Sequence, residues 1–321
     1  EVDTPAGSIP ESLFATFQMT FAIITPALMI GAFVERIKFS AMLIFLSMWM
    51  LIVYVPVTHW VWGGGILSSW GTMDFAGGIV VHATAGTAAL VTALTLGKRR
   101  GFPKSITPPH SPILTMIGAS MLWIGWFGFN AGSALGANGG AGMAMLVTHI
   151  SAATASLVWM FIEWKRFGKP SLIGIVTGMV AGLATVTPAS GYIGVPGGLI
   201  LGFFGGLLCY LAVDFIRGKL QIDDSLDVFA VHGVGGILGT LLVAFLATST
   251  FSGSGLAEGQ TAVTQFFVQL KAVILTVVWT SVFTYLILKI TSFIVPLRVE
   301  EQEEIEGLDL RSHGEKGYHS D

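Results

Sequence analysis

Residues 74–97 read DFAGGIVVHATAGTAALVTALTLG, and residues 227–248 read DVFAVHGVGGILGTLLVAFLAT. Each stretch is long and apolar enough to cross a bilayer as a helix, since roughly 20 residues span about 30 Å of hydrocarbon. Beyond the aspartate that opens it, each also carries one ionisable residue, His82 or His232. The local frames match: Val81-His82 with Gly86 four positions on, and Val231-His232 with Gly236 four positions on. An imidazole at bilayer depth is expensive and usually faces a pathway or a buried partner. Two of them in matching frames point to a duplicated fold whose halves meet at one central site.

Composition agrees. Of 321 residues, 53% are hydrophobic and only 11% charged, with a mean hydropathy of +0.76. The expected class is all-α, a polytopic membrane helical bundle in a lipid bilayer. Ten-residue alternating patterns are absent, which argues against an outer-membrane barrel. The 41 glycines let helices approach closely and bend. Cys209 is the single cysteine, so an intrachain disulfide and a Cys-ligated metal cluster are both excluded. The net charge of −3 is uninformative, because charges collect in short loops and the C-terminal tail. No signal peptide, enzyme chemistry, cofactor or nucleic-acid partner is expected.

About nine spans are expected, near 12–34, 40–61, 76–97, 111–134, 141–162, 172–187, 195–216, 227–248 and 264–294. Basic residues follow the odd spans: Arg36 and Lys38, then Lys98, Arg99, Arg100 and Lys104, then Lys165, Arg166 and Lys169, then Arg217 and Lys219, and Arg298 after the ninth. The loops around 63–75, 135–140, 188–194 and 249–263 carry almost none. This alternation places the odd-span exits and the tail in the cytoplasm, with Lys271 as the exception. His82 and His232 then lie on helices five spans apart, which run antiparallel, as an inverted five-helix repeat requires. Asp74 and Asp227 open those helices. At about 1.5 Å per residue, each histidine sits roughly 7–12 Å beyond its aspartate, one from each face. If five spans form each half and one closes the fold, two further helices are expected ahead of residue 1.

A lone membrane histidine is as readily structural, its ring satisfied by a carbonyl. The duplicated frame and antiparallel placement favour a shared site in which one ring donates and the other accepts. The two rings are expected to stay largely neutral, because adjacent positive charges disfavour each other. A metal site lacks a third ligand at helical spacing. His149 reads as a packing residue, and His59, His110, His313 and His319 carry no strong functional claim.

Aromatics form the second constellation: Phe14, Phe17 and Phe21 at helical spacing, Trp60 and Trp62 before three glycines, and Phe127 and Phe129 after Trp126. Taken alone, they read as lipid-facing packing and an interfacial belt. The alternative is an outer vestibule that holds a small cation over ring faces, each contact worth about 0.5–2 kcal/mol. Asp74 reads as a helix cap, and Asp227 reads similarly, with Asp223, Asp224 and Ser225 as competing caps.

In combination these motifs resemble the signature of the Amt/Mep/Rh superfamily of ammonium transporters, Amt branch. The stretches that carry the resemblance are DFAGGIVVHATAG (74–86), FQMTFA (17–22), GAFVERI (31–37), VWGGG (61–65), GWFGFNAGS (125–133), TPASGY (187–192), DVFAVHG (227–233) and the tail GLDLRSHGE (307–315). The resemblance covers essentially the whole chain and implies an eleven-helix ammonium transporter fold, of which this chain lacks the first two helices. It implies a homotrimer in the cell membrane, with one narrow pore per subunit and a cytoplasmic C-terminus. Trp62, Phe21 and Ser133, with Phe17 nearby, would bind substrate ammonium. Phe21 and Phe129 would stack as a gate, His82 and His232 would line the pore, and Asp74 would support recruitment from behind. Residues 1–296 would form the transmembrane domain and residues 297–321 a cytoplasmic regulatory tail.

Sequence alone favours a solvated acidic tail. The resemblance implies instead that it docks on the cytoplasmic face, couples subunits and answers to a PII-type regulatory protein. Two other functions compete. One is a passive Rh-type channel for NH3 and CO2, against which the Trp62–Ser133 pairing and the tail argue. The other is an ammonium sensor acting through its tail.

Overall fold

The computed structural model describes residues 9–106 and 108–318; His319 lies outside them. Among the described residues nine main helices follow in order: α1 (Glu11–Ile30), α2 (Phe39–Ser69, interrupted at residues 63–65), α3 (Gly78–Leu96), α4 (Pro112–Ala131), α5 (Gly139–Phe167), α6 (Leu172–Val186), α7 (Val195–Lys219), α8 (Phe229–Leu246) and α9 (Ala262–Ile294). A short α10 (Glu301–Glu306) lies in the tail. The chain is a multi-pass membrane protein with an all-α fold.

Polar caps mark where several helices start. Ser111, Asn138 and Ser171 each accept a backbone N–H from the first turn that follows. Thr261 and Thr264 form a reciprocal capping box at α9. Such caps satisfy N–H groups that the helix itself leaves open.

Of the nine expected spans, eight are long and apolar enough to cross by themselves. The sixth, α6, has only 15 residues, or roughly 22 Å of helix. It sits inside the bundle, with most of its residues buried between α5 and α7. There Ser151 on α5 donates to the Gly182 carbonyl at 2.8 Å, which ties the two helices together.

The centre of the molecule is α3 and α8. They are 78% and 61% buried, against at most 39% for the other six helices long enough to cross by themselves. That explains their near-continuous apolar sequence: they have no lipid-facing side to distinguish. Gly78 lies against Gly236 and Thr240, and Gly86 against His232 and Gly233, so the two helices pass antiparallel.

The basic loops gather at one end of the bundle. Arg36 is fully buried and donates to the Ser225 hydroxyl at 3.0 Å and the Asp223 carbonyl at 2.5 Å. Burial lowers the Arg36 pKa, with the Asp223 charge opposing. Arg99 pairs with Asp223 at 3.2 Å and with Glu35. At the opposite end, Lys271, the exception to the charge pattern, places its Nζ 3.4 Å from the centre of the Trp70 ring. A ring face stabilises that cation without a carboxylate.

The tail is not free in solvent, as its charge alone suggested. The Glu304 carboxylate accepts the Arg100 N–H at 2.6 Å and pairs with Arg298 at 2.8 Å. His110 stacks on Tyr318 with ring centres 5.0 Å apart, and His313 meets Phe39 edge-on at 4.9 Å. A cavity of about 820 Å³ remains between the tail and the loops around Glu35 and Arg99.

Candidate functional site

His82 and His232 meet at the crossing of α3 and α8. Their Nδ1 atoms are 3.3 Å apart and the ring centres 5.2 Å apart, with the planes inclined by 25°. Both lie in π-helical turns, Gly78–Ala83 and Phe229–Gly233. Such widened turns re-aim side chains and recur at functional sites. Nε2 of His82 is buried without a partner.

The repeated Val-His-x-x-x-Gly frame now has a physical reason. A Cβ on Gly236 would stand 2.5 Å from the His82 Cβ, and one on Gly86 would collide with the Gly233 backbone. The glycine one turn after each histidine is the gap through which the opposite helix brings its own histidine turn.

Each turn is held at its start by an aspartate. The Asp74 carboxylate accepts four backbone N–H groups, from Gly77, Gly78, Ile79 and Val80, at 2.6–3.2 Å. Burial raises the pKa of this group and the four donors oppose that shift. The matching residue before His232 is Asp224, not Asp227. Asp224 stands eight positions before its histidine, as Asp74 does, and accepts the Phe229 N–H at 2.7 Å. Asp227 is diverted: its φ is +56°, and its carboxylate pairs with Arg217 at 2.7 Å.

Above the pair, aromatic rings form a continuous file. Trp62 to Phe21 is 5.4 Å between centres, Phe21 to Phe129 is 4.6 Å, and Phe129 to His82 is 6.0 Å. Phe17 meets Phe21 edge-on at 4.9 Å. Trp126 stacks on His82 at 5.5 Å, and its N–H donates to Thr187 at 2.9 Å.

Phe17, Phe21, Trp62 and Ser133 line one cavity of about 340 Å³, together with Phe14, Gln18 and Phe75. The Trp62 N–H is occupied by the Asp74 carbonyl at 2.8 Å, so this residue offers its face. The Ser133 hydroxyl donates to the Phe129 carbonyl at 2.8 Å, which leaves its oxygen free to accept. Asp74 lies behind Trp62. The expected site residues are therefore brought together.

Gln18 is a lining residue that sequence reasoning missed. Its Oε1 is buried and unpartnered. The signal was a lone amide between Phe17 and Phe21 on an otherwise apolar face. His149, in contrast, lies apart, packed 5.1 Å from Trp123. Among the described residues no three His, Cys, Asp or Glu side chains converge as a metal-ligand set.

Fold and site together define a polytopic membrane protein built around a buried histidine pair beneath an aromatic-lined cavity. The model of the Ammonium Transporter Family matches residues 1–318, and the chain belongs to that family. It is 48% identical to a putative ammonium transporter of Methanothermobacter thermautotrophicus, over 98% of this chain and 77% of the relative. It is also 48% identical to the ammonium transporter Amt1 of Archaeoglobus fulgidus, over 95% of this chain and 78% of the relative. Among solved structures it resembles a sensor Amt protein, with a TM-score of 0.87 and 31% identity over 94% of this chain and 76% of that one. Saccharomyces cerevisiae Mep2 matches with a TM-score of 0.83 and 36% identity, over 92% of this chain and 68% of that one.

Proposed function

We propose that this protein transports ammonium, a non-enzymatic role, by separating NH4+ into NH3 and a proton at the foot of the vestibule. Moving an ion of this size into a dry, low-dielectric passage costs of order 20 kcal/mol by the idealised Born measure. A cation–π contact offsets only about 0.5–2 kcal/mol. The ion is therefore recruited by the Trp62 and Phe21 faces, with Phe17 nearby, and donates N–H bonds to the Ser133 and Gln18 oxygens. It gives up its proton near the Phe21–Phe129 gate.

The Nδ1-to-Nδ1 contact carries this reading. Of two neutral rings joined this way, one donates at Nδ1 and has a bare Nε2. The other accepts at Nδ1 and carries its hydrogen on Nε2. A proton taken up at the bare Nε2 moves the shared hydrogen across, and the other ring releases its Nε2 hydrogen. One proton enters and one leaves, while NH3 crosses uncharged. Potassium has no proton to lose and is excluded.

The basic end is assigned to the cytoplasm, in the cell membrane, with residues 297–321 as a regulatory tail. The assembly is a homotrimer, and the docked tail is where a PII-type protein acts. The test is a full-chain proteoliposome recording. Saturable, ammonium-dependent current that potassium does not support is expected. Electroneutral NH3 flux alone would point to a gas channel. Ammonium binding without flux would point to a sensor, as one of the similar structures is named.

A further inference from the structure

We infer that Gln269, on α9, is a positioning residue that sets the vestibule against the histidine pair; the inference rests on the function proposed above. Two glutamines occupy the early turns of this apolar helix, and both are buried, Gln269 completely. An amide in such a place is costly unless every donor and acceptor is met. In Gln269 all are met. Its Oε1 accepts the Met73 N–H at 2.8 Å and the Gln265 amide at 3.2 Å. Its Nε2 donates to the Met73 carbonyl at 2.7 Å and the Thr240 carbonyl at 2.9 Å. Gln265 adds a bond to the Gly71 carbonyl at 2.9 Å.

What these bonds reach gives Gln269 its role. The side-chain amide pairs with both backbone groups of Met73, as a neighbouring strand would. The next residue is Asp74, whose carbonyl fixes the Trp62 indole and whose carboxylate holds the π-helical turn of His82. The fourth bond goes to Thr240 on α8, the helix that carries His232. One side chain therefore joins the ion-binding wall, the first histidine turn and the second histidine helix. α9 stands outside the two repeats and still fixes their relative position.

Wild type, Gln269→Leu and Gln269→Glu are compared in two measurements on the full chain. The first is hydrogen exchange in lipid. Gln269→Leu leaves the Met73 N–H and carbonyl without partners, so faster exchange is expected across residues 73–82 and little change in α5–α7. The second is ammonium-dependent current. Gln269→Leu is expected to raise KM about tenfold, with a smaller change in maximal current per folded molecule and a weakened exclusion of potassium. Gln269→Glu keeps the acceptor for Met73 and, when protonated, one donor. Its KM is expected to approach wild type at acid pH and to resemble Gln269→Leu at alkaline pH.

Uniformly raised exchange, or unchanged KM and potassium exclusion per folded molecule in the variants that fold, overturns the inference. If Gln269→Leu does not fold, Gln269→Glu decides both readouts. If wild type passes no current, the transport reading fails separately, and unchanged exchange at residues 73–82 still overturns the positioning role.

Discussion

His82 and His232 approach through like nitrogens, Nδ1 to Nδ1 at 3.3 Å, with no carboxylate between them. A hydrogen bond of that kind needs one bare nitrogen. A doubly protonated pair has none, so the geometry supports one transferable proton at most. Around it, two aspartates cap two π-helical turns, and two glycines let the turns interlock. The site is a property of the repeat, assembled from both halves, rather than of either helix.

Gly86→Ala and Gly236→Ala are expected to destabilise the fold by about 1–3 kcal/mol each, because each adds a methyl group where a backbone or side chain already stands. Both also push the rings apart. Thermal unfolding in detergent, together with ammonium flux at a temperature where the variants are folded, checks this. Wild-type stability and flux in both would mean that the helices have slack at their crossing.

Asp227 provides a pH test outside the spans. Burial raises its pKa to about 7, opposed by the Arg217 charge and reinforced by Asp224. A carboxyl with a folded pKa above its unfolded value of 3.8 binds more protons when folded. Its contribution to stability is thus fully present below the unfolded value and is lost as pH rises through the folded one. The melting temperature is expected to fall between about pH 4 and 7, and Asp227→Asn should flatten that part of the profile. An unchanged slope in Asp227→Asn would assign the effect to other groups.

Glu304 anchors the tail through the backbone N–H of Arg100 and also closes on Arg298 within the tail. Glu304→Ala strands the Arg100 N–H, while Arg298 keeps its bond to the Leu96 carbonyl, and is expected to weaken docking by about 1–3 kcal/mol. Limited proteolysis should then cut after residue 300 faster than in wild type. Deleting residues 307–321 should alter flux or its regulation. Equal proteolysis rates and unaltered transport would return the tail to a solvated acidic segment.

The histidine frames, the charge alternation and the odd spacing of the two helices were legible because each is a local or periodic pattern. The aromatic vestibule was legible only through resemblance, since rings at helical spacing look the same whether they face lipid or a cavity. Asp224 was hidden by Asp227, which stands nearer the helix and looks like its cap. The equal eight-residue spacing to each histidine was the available signal. Gln18 was marked only by a lone amide on an apolar face, and the roles of Gln269 and Glu304 were not legible, because Met73 and Arg100 lie far from them in sequence. The short length of α6 was legible in the expected span 172–187, but its burial, which hydropathy does not report, was not.

Replacing His82 and His232 together with Leu, and recording ammonium- and potassium-dependent currents from the folded full chain, bears most directly on proton separation. A drop of roughly 100-fold in ammonium current is expected, the scale at which a positioned proton-transfer group contributes. Undiminished ammonium current that still excludes potassium would show that the proton parts from its amine without these rings.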